Sequence, residues 1–499
     1  MVTTTPVLGL VVVVLIAFAA FGAWFARGRI ETVEDYITAR NSTGGGALTA
    51  TLVASSMGAW ILFSPAEAGA AFGGVTAVAG YAAGSALALV AFAVLGPRIR
   101  ELIPDGHSLT EYAYARYGTA MYGYVLLVSV AYMFVFLAAE FTGIASALSL
   151  LAGVPGWQTA TVVGVTVLAY TGYGGLRASM VTDTVQTILI LPLLIVSVVV
   201  TLLSLGGTGA AHAAIVDASP DLLAVGSPTG VEFGVYVVVA VVGAEMLNQA
   251  WWQRVYAARD ERTLRRSFLV AAVAVVPMVL LAGVFGPVAV GLGLVEAPGD
   301  ASVSFFLVVN EVLPDAAVAV VALLATLLVV SSADTLFNAI ASIVTVDLPR
   351  AFDVSDAGLT AAARGVTVVV AAAATGVGAQ GYSVLTLFLL ADLLAAATFV
   401  PLLHGLYSSR AWSGGALLAS AAGLVVGLAF FPPARGVLPL AALPAASYFV
   451  SFLGAAAVST GLAVLTARLV DRPYDLTRLD RDIRRLEDPE ASTDGGTER

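Results

Sequence analysis

Thirteen runs of about twenty mostly apolar residues follow one another along this chain, at approximately 7–26, 46–72, 74–96, 118–150, 156–174, 180–205, 231–254, 267–294, 315–346, 360–378, 383–408, 412–431 and 447–469. A helix needs that length to cross the hydrocarbon core of a bilayer. Charged residues make up 11% of the 499, against roughly 25% in a soluble chain, and the mean hydropathy is +0.94. The expected fold class is therefore an all-α integral membrane protein of about thirteen transmembrane helices. The first run has no basic n-region and is too long for an ordinary signal peptide, so it counts as a span.

Arginine placement orients these spans. All 23 basic residues are arginine, and lysine is absent. With the N-terminus outside, 22 of the 23, among them Arg27, Arg98, Arg177, Arg254, Arg350 and Arg478, fall in inward loops or the inward tail, leaving Arg435 outside. The positive-inside rule then predicts an extracellular N-terminus and a cytoplasmic C-terminus. Two outward loops, 206–230 and 295–314, carry acids and no arginine. The tail 470–499 mixes charges and ends in a polar stretch, read as a short surface helix followed by disorder.

One segment is built unlike a plain lipid-facing helix. In TLVASSMGAWILFSPAEAG, from Thr51 to Gly69, Ser55, Ser56, Gly58 and Ser64 are small or polar, Pro65 lacks a backbone donor, and Glu67 is a carboxylate at membrane depth. Non-helical backbone in a bilayer is tolerated where it is enclosed by protein or lines a cavity. A transporter's broken span and a proline-kinked packing helix both fit this segment alone. The seventh span, VVGAEMLNQAWWQR, is interrupted similarly by Gly243, Glu245, Asn248 and Gln249. It stands five spans after the second, and an odd number of spans inverts the second unit. Broken helices at matching positions of inverted repeats point to a transport site.

Ionisable groups at membrane depth are functional candidates by default. They include Glu67, Glu140, Asp183, Glu245, Asp334 and Asp392. In LVVSSADTLFNAIAS, Leu328, Ser331, Ser332 and Thr335 recur at helical spacing on one face, which Asp334 borders. Hydroxyls and carbonyls there form a hard-oxygen set suited to an alkali cation, and serines that bond back to their own helix fit the same pattern. With no cysteine and three histidines, thiol chemistry is excluded and a histidine metal site is disfavoured. The chain is expected not to be an enzyme and to need no cofactor.

The run GGLRASMVTDTVQ, then NQAWWQRVYAARDERTLRRS, then VVSSADTLFNAIASIVTVDL, preceded by TARNSTGG, resembles the sodium/solute symporter family. That family includes sodium/proline, sodium/glucose, pantothenate and urea symporters. The resemblance implies a LeuT-type core of five plus five inverted spans, with one extra helix before it and two after. The implied divisions are 1–45 for the N-terminal helix and inward loop, 46–205 and 231–410 for the repeats, 206–230 for an extracellular loop, 411–469 for the extra helices and 470–499 for the tail.

Matched residue by residue, the family's sodium site falls on Ala54, Met57, Leu328, Ser331 and Ser332. Asp183 matches the aspartate of its T-D-x-x-Q motif, which with Asp334 and Thr335 implies a second cation or proton site. Candidate substrate contacts are Ser56, Gly58, Trp60, Asn248, Gln249 and Trp252. Ser56 stands where the sodium/proline symporters carry an aspartate, and the core lysine of the sugar symporters has no counterpart. The expected activity is sodium-coupled symport of a small polar solute, an amino acid such as proline or urea, by alternating access in the plasma membrane. A proton-coupled carrier and a membrane-embedded sensor are the alternatives. Expected partners are the solute, sodium and the lipid bilayer, with no nucleic acid, and the chain is expected to work as a monomer.

Overall fold

The structure is a computed structural model and describes residues 4–26, 39–297, 299–351, 356–435, 444–470 and 473–483. In order, the helices are α1 (Thr4–Ala26), α2 (Gly45–Ser56), α3 (Trp60–Ala71), α4 (Gly74–Leu102), α5 (Leu109–Tyr117), α6 (Thr119–Ala152) and α7 (Gly156–Ser204). They continue as α8 (Thr208–Ala218), α9 (Pro228–Met246), α10 (Gln249–Ala257), α11 (Glu261–Gly283), α12 (Phe285–Gly291), α13 (Ser304–Val312) and α14 (Asp315–Ala351). The last are α15 (Asp356–Gly378), α16 (Val384–Ala396), α17 (Phe399–Leu403), α18 (Ser413–Phe430) and α19 (Tyr448–Ala467), followed by a short α20 (Arg478–Asp482) in the tail.

Ten helical stretches among the described residues are long and apolar enough to cross a membrane, and the bent pair α2/α3 makes an eleventh. The other two expected spans are also helical. The apolar part of α1 described here runs Leu8–Gly22. The fifth and sixth spans, expected as 156–174 and 180–205, share the unbroken assignment α7 of 49 residues. Straight, that run would measure about 74 Å, more than twice the ~30 Å hydrocarbon core, so α7 holds enough residues for two crossings. The expected tail segment 484–499 lies outside the described residues.

Both interrupted spans break within a few residues of where small and polar side chains enter the apolar run. The α2/α3 pair bends by 52°. Met57 leaves helical geometry, and its N–H bonds back to the Ala54 carbonyl at 3.1 Å. Pro65, five residues into α3, is carried inside a helix. The α9/α10 break falls at Leu247 and Asn248, where the Asn248 side chain caps the new helix by accepting from Ala250 N–H at 3.1 Å.

Packing sorts the core into two groups. The broken pairs α2/α3 and α9/α10 pack with α4 and α11, while α6, α7, α14 and α15 pack with one another. The first group is knit by small residues: a Cβ added at Gly80 would lie 2.3 Å from the Gly234 Cα, so α4 and α9 touch backbone to backbone. Loop ends are fixed by side-chain caps, as where Asp260 accepts from Thr263 N–H at 2.7 Å to start α11. That hydrogen bond holds the exposed Asp260 carboxyl below its ordinary range.

Candidate functional site at the helix breaks

Three carboxylates tie the broken-helix group to its neighbours. The first junction is at Asp183 of α7, which is fully buried. Its Oδ2 accepts from Thr51 Oγ1 at 2.6 Å and Ser55 Oγ at 3.2 Å, both on α2. Its Oδ1 accepts from Ser331 Oγ of α14 at 2.8 Å. The fourth partner is Arg254 of α10, whose Nη2 stands 3.3 Å from Oδ2. The same guanidinium nitrogen donates to Ser55 Oγ at 3.0 Å and to Thr335 Oγ1 at 3.1 Å. Asp334 sits beside this cluster, accepting from Asn338 Nδ2 at 3.1 Å and from Thr182 Oγ1 at 3.5 Å.

Arg254 departs from the sequence reading, which placed it in an inward loop. It is fully buried. The reason is local: α10 runs on to Ala257, and Arg254 folds back along it, with Nη1 donating to the Ala250 carbonyl at 3.3 Å. The charge is tolerated at that depth because Asp183 and three hydroxyls surround it.

The second junction is at Glu140 of α6. Its Oε2 accepts from the Ala59 N–H at 2.7 Å and from Ser332 Oγ at 2.7 Å. The carboxylate thus caps the first turn of α3, where the exposed N–H groups and helix dipole favour an anion. It lies so close that a Cβ on Gly58 would meet Oε1 at 2.1 Å. Oε1 itself is buried and has no hydrogen-bond donor. The third junction is at Glu67 of α3, which accepts from Ser383 Oγ at 2.9 Å; Ser383 in turn caps α16 by accepting from Thr386 N–H at 3.1 Å.

The five positions matched to a sodium site fall on these elements. Ala54 and Met57 form the end of α2, while Leu328, Ser331 and Ser332 lie on α14. The two serines part company: Ser331 turns to Asp183, and Ser332 turns to Glu140 and to the Leu328 carbonyl at 3.0 Å. Thr335 reaches α2 through Ser55 at 3.2 Å. Among the described residues there is no group of three or more histidines or acids suited to a metal ion. A cation here would be held by hydroxyls, carbonyls and single carboxylates, the oxygen donors a hard cation takes.

Of the six candidate substrate contacts, Ser56 and Trp60 line a cavity between the end of α2 and helices α4, α9 and α11. Asn248 donates to Glu245 of that cavity at 3.0 Å. Gly58 packs on Glu140. Gln249 and Trp252 point elsewhere. Gln249 bonds Leu109 N–H and the His107 carbonyl at 3.0 and 2.8 Å, anchoring α5. Trp252 stacks on Tyr112 with ring centroids 6.1 Å apart. Trp251, adjacent in sequence, is the tryptophan that lines the cavity. Asp392 is a further buried acid.

Two discontinuous helices, packed together and facing oxygen-rich elements at their breaks, define a secondary transporter built on LeuT-type architecture. The chain belongs to the sodium:solute symporter family, whose model matches residues 36–423. It is 27% identical over 424 residues to Spermidine transporter DUR31 of Candida albicans, covering 84% of this chain and 78% of that one. It is 25% identical to Probable urea active transporter 1 of Schizosaccharomyces pombe over 51% of this chain, and 23% identical to Urea-proton symporter DUR3 of Oryza sativa over 49%. It spans 41% and 38% of those two relatives' lengths. Among solved structures, a Na+-coupled sialic acid symporter in a substrate-bound outward-open state superposes with a TM-score of 0.75 at 16% identity, over 94% of this chain and 99% of that one. Mhp1, a nucleobase-cation-symport-1 family transporter in a closed conformation, gives 0.61 at 14% identity, over 90% and 99%.

Proposed function

We propose that this multi-pass membrane symporter is sodium-coupled and carries a small nitrogenous solute across the plasma membrane by alternating access, with its N-terminus outside and its C-terminus inside. The observation that carries sodium is the junction of α2 with α14. Ser331 and Ser332, the matched ligands, sit between two buried carboxylates, Asp183 and Glu140, and beside the Leu328 carbonyl. Sodium bound between the end of α2 and α14 would hold the broken-helix group against α6, α7, α14 and α15, and its release inward would let that group rock. The solute would bind between the breaks, near Ser56, Trp60 and Asn248. Relatives named for spermidine and urea transport support a nitrogenous solute.

Proton coupling is the second reading, favoured by the carboxylate at Asp334 and by a relative named as a urea-proton symporter. Uptake of labelled solutes into proteoliposomes under an imposed sodium gradient at constant pH tests the first reading. Accumulation driven by a pH gradient in sodium-free buffer, and abolished by Asp334→Asn, would establish the second instead.

A further inference from the structure

The cavity at the helix breaks is about 30 Å³, room for one or two waters or a single ammonium group. Four aromatic rings stand in its wall: Trp60 and Tyr81 stack with ring centroids 5.6 Å apart, and Phe92 and Trp251 stand 6.5 Å apart. The charged group lining it is the Glu245 carboxylate, and none of the lining residues is basic. Glu245 Oε2 accepts from the Trp251 indole N–H and from Asn248 Nδ2, so the carboxylate is held in place at the break.

Among the described residues, no basic side chain joins Glu245 in the cavity wall. Asp392 of α16, a further buried acid, is not among the residues lining the cavity. Arg254, on the adjoining half-helix, is turned to Asp183 and Asp334. A carboxylate inside a bilayer is costly unless a positive group joins it. Aromatic faces attract cations. A neutral solute would bring no charge to offset that of Glu245. An ammonium head supplies the missing charge and N–H donors for Glu245, and its methylene groups pack on the rings.

We infer that the solute is an organic ammonium ion, an aliphatic amine whose charged head sits at Glu245 among Trp60, Tyr81, Phe92 and Trp251. This rests on the symporter reading and names its solute class. The alkyl remainder of a longer amine is admitted by the opening that alternating access provides.

The test is binding of radiolabelled putrescine to the purified full-length chain, then its uptake into proteoliposomes under a sodium gradient. Butylamine should compete, whereas 1,4-butanediol and urea at hundredfold excess should not. Glu245→Gln, which keeps an acceptor for Trp251, should weaken putrescine binding at least tenfold, and Glu245→Asp should restore most of it. Phe92→Leu, which keeps the apolar volume and removes the ring, should weaken it severalfold, and serves if Glu245→Gln fails to fold. Failure of the wild type to bind either amine, equal competition by the neutral diol, or unaltered binding by Glu245→Gln would overturn the assignment. Sodium-driven uptake of urea or proline that amines do not inhibit would overturn the amine and leave the symporter standing. Amine uptake indifferent to sodium would support the amine and remove sodium coupling.

Discussion

The Arg254 guanidinium of α10 and the Asp183 carboxylate of α7 form an ion pair at 3.3 Å, with both side chains fully buried. The pair joins the second broken helix to an element of the opposing group, and Thr51, Ser55, Ser331 and Thr335 fill in around it. Removing one partner strands the other charge in a fully buried site. Arg254→Met and Asp183→Asn should each cost about 3–5 kcal/mol, read as a lowered thermal unfolding midpoint in detergent. The double variant should recover much of the loss. If each single variant melts with the wild type, the pair is not what holds these helices together.

Ser331 and Ser332 address different carboxylates, so their contributions to cation binding should be separable. Ser331→Ala and Ser332→Ala should each raise the sodium concentration for half-maximal uptake several-fold, because each removes an oxygen donor from a partly dehydrated ion. Solute affinity at saturating sodium should move less. Unchanged sodium activation in both variants would place the ion elsewhere.

Gly58 is held to glycine by its neighbour. A methyl group there would overlap Glu140 Oε1 at 2.1 Å, and that carboxylate is pinned by Ala59 N–H and Ser332. Gly58→Ala should destabilise the protein by about 1–3 kcal/mol through overpacking, with loss of transport. Adding Glu140→Ala should relieve the overlap and restore part of the thermal stability. A stable, active Gly58→Ala protein would mean that the break opens more easily than this packing allows.

Orientation is checked with tags. One placed before Met1 should be labelled by an impermeant reagent on intact cells, and one placed after Arg499 should not be. Labelling of both on the same face would break the odd span count and the inversion between the two repeats.

Much of this was legible in the sequence because a bilayer narrows the choices. A helix break inside an apolar run must be signalled by small or polar residues, and Ser55, Ser56, Gly58 and Asn248 signal both breaks. Asp183 was visible as a charge at membrane depth. What stayed hidden depends on directions and distant partners. The burial of Arg254 needs Asp183, 71 residues earlier, and a side chain folded back along its own helix. Glu140 was visible as a charge at membrane depth too, but its partner, a main-chain N–H 81 residues away, was not. Trp251 and Trp252 are adjacent, and successive residues on a helix point about 100° apart. Which of them faces the cavity is therefore set by where α10 begins, a boundary the sequence leaves loose by a residue or two.

The backbone contact between Gly80 and Gly234 has a mechanical consequence. Two helices that touch without side chains between them have no compressible layer to shear, so α4 and α9 behave as one strut. Flexure during the transport cycle is then confined to the compliant points, residues 57–59 and 247–248, where the main chain has already left the helix. Stiff members meeting at two soft joints make a lever, and the joints lie beside the cavity lined by Trp60, Glu245 and Trp251.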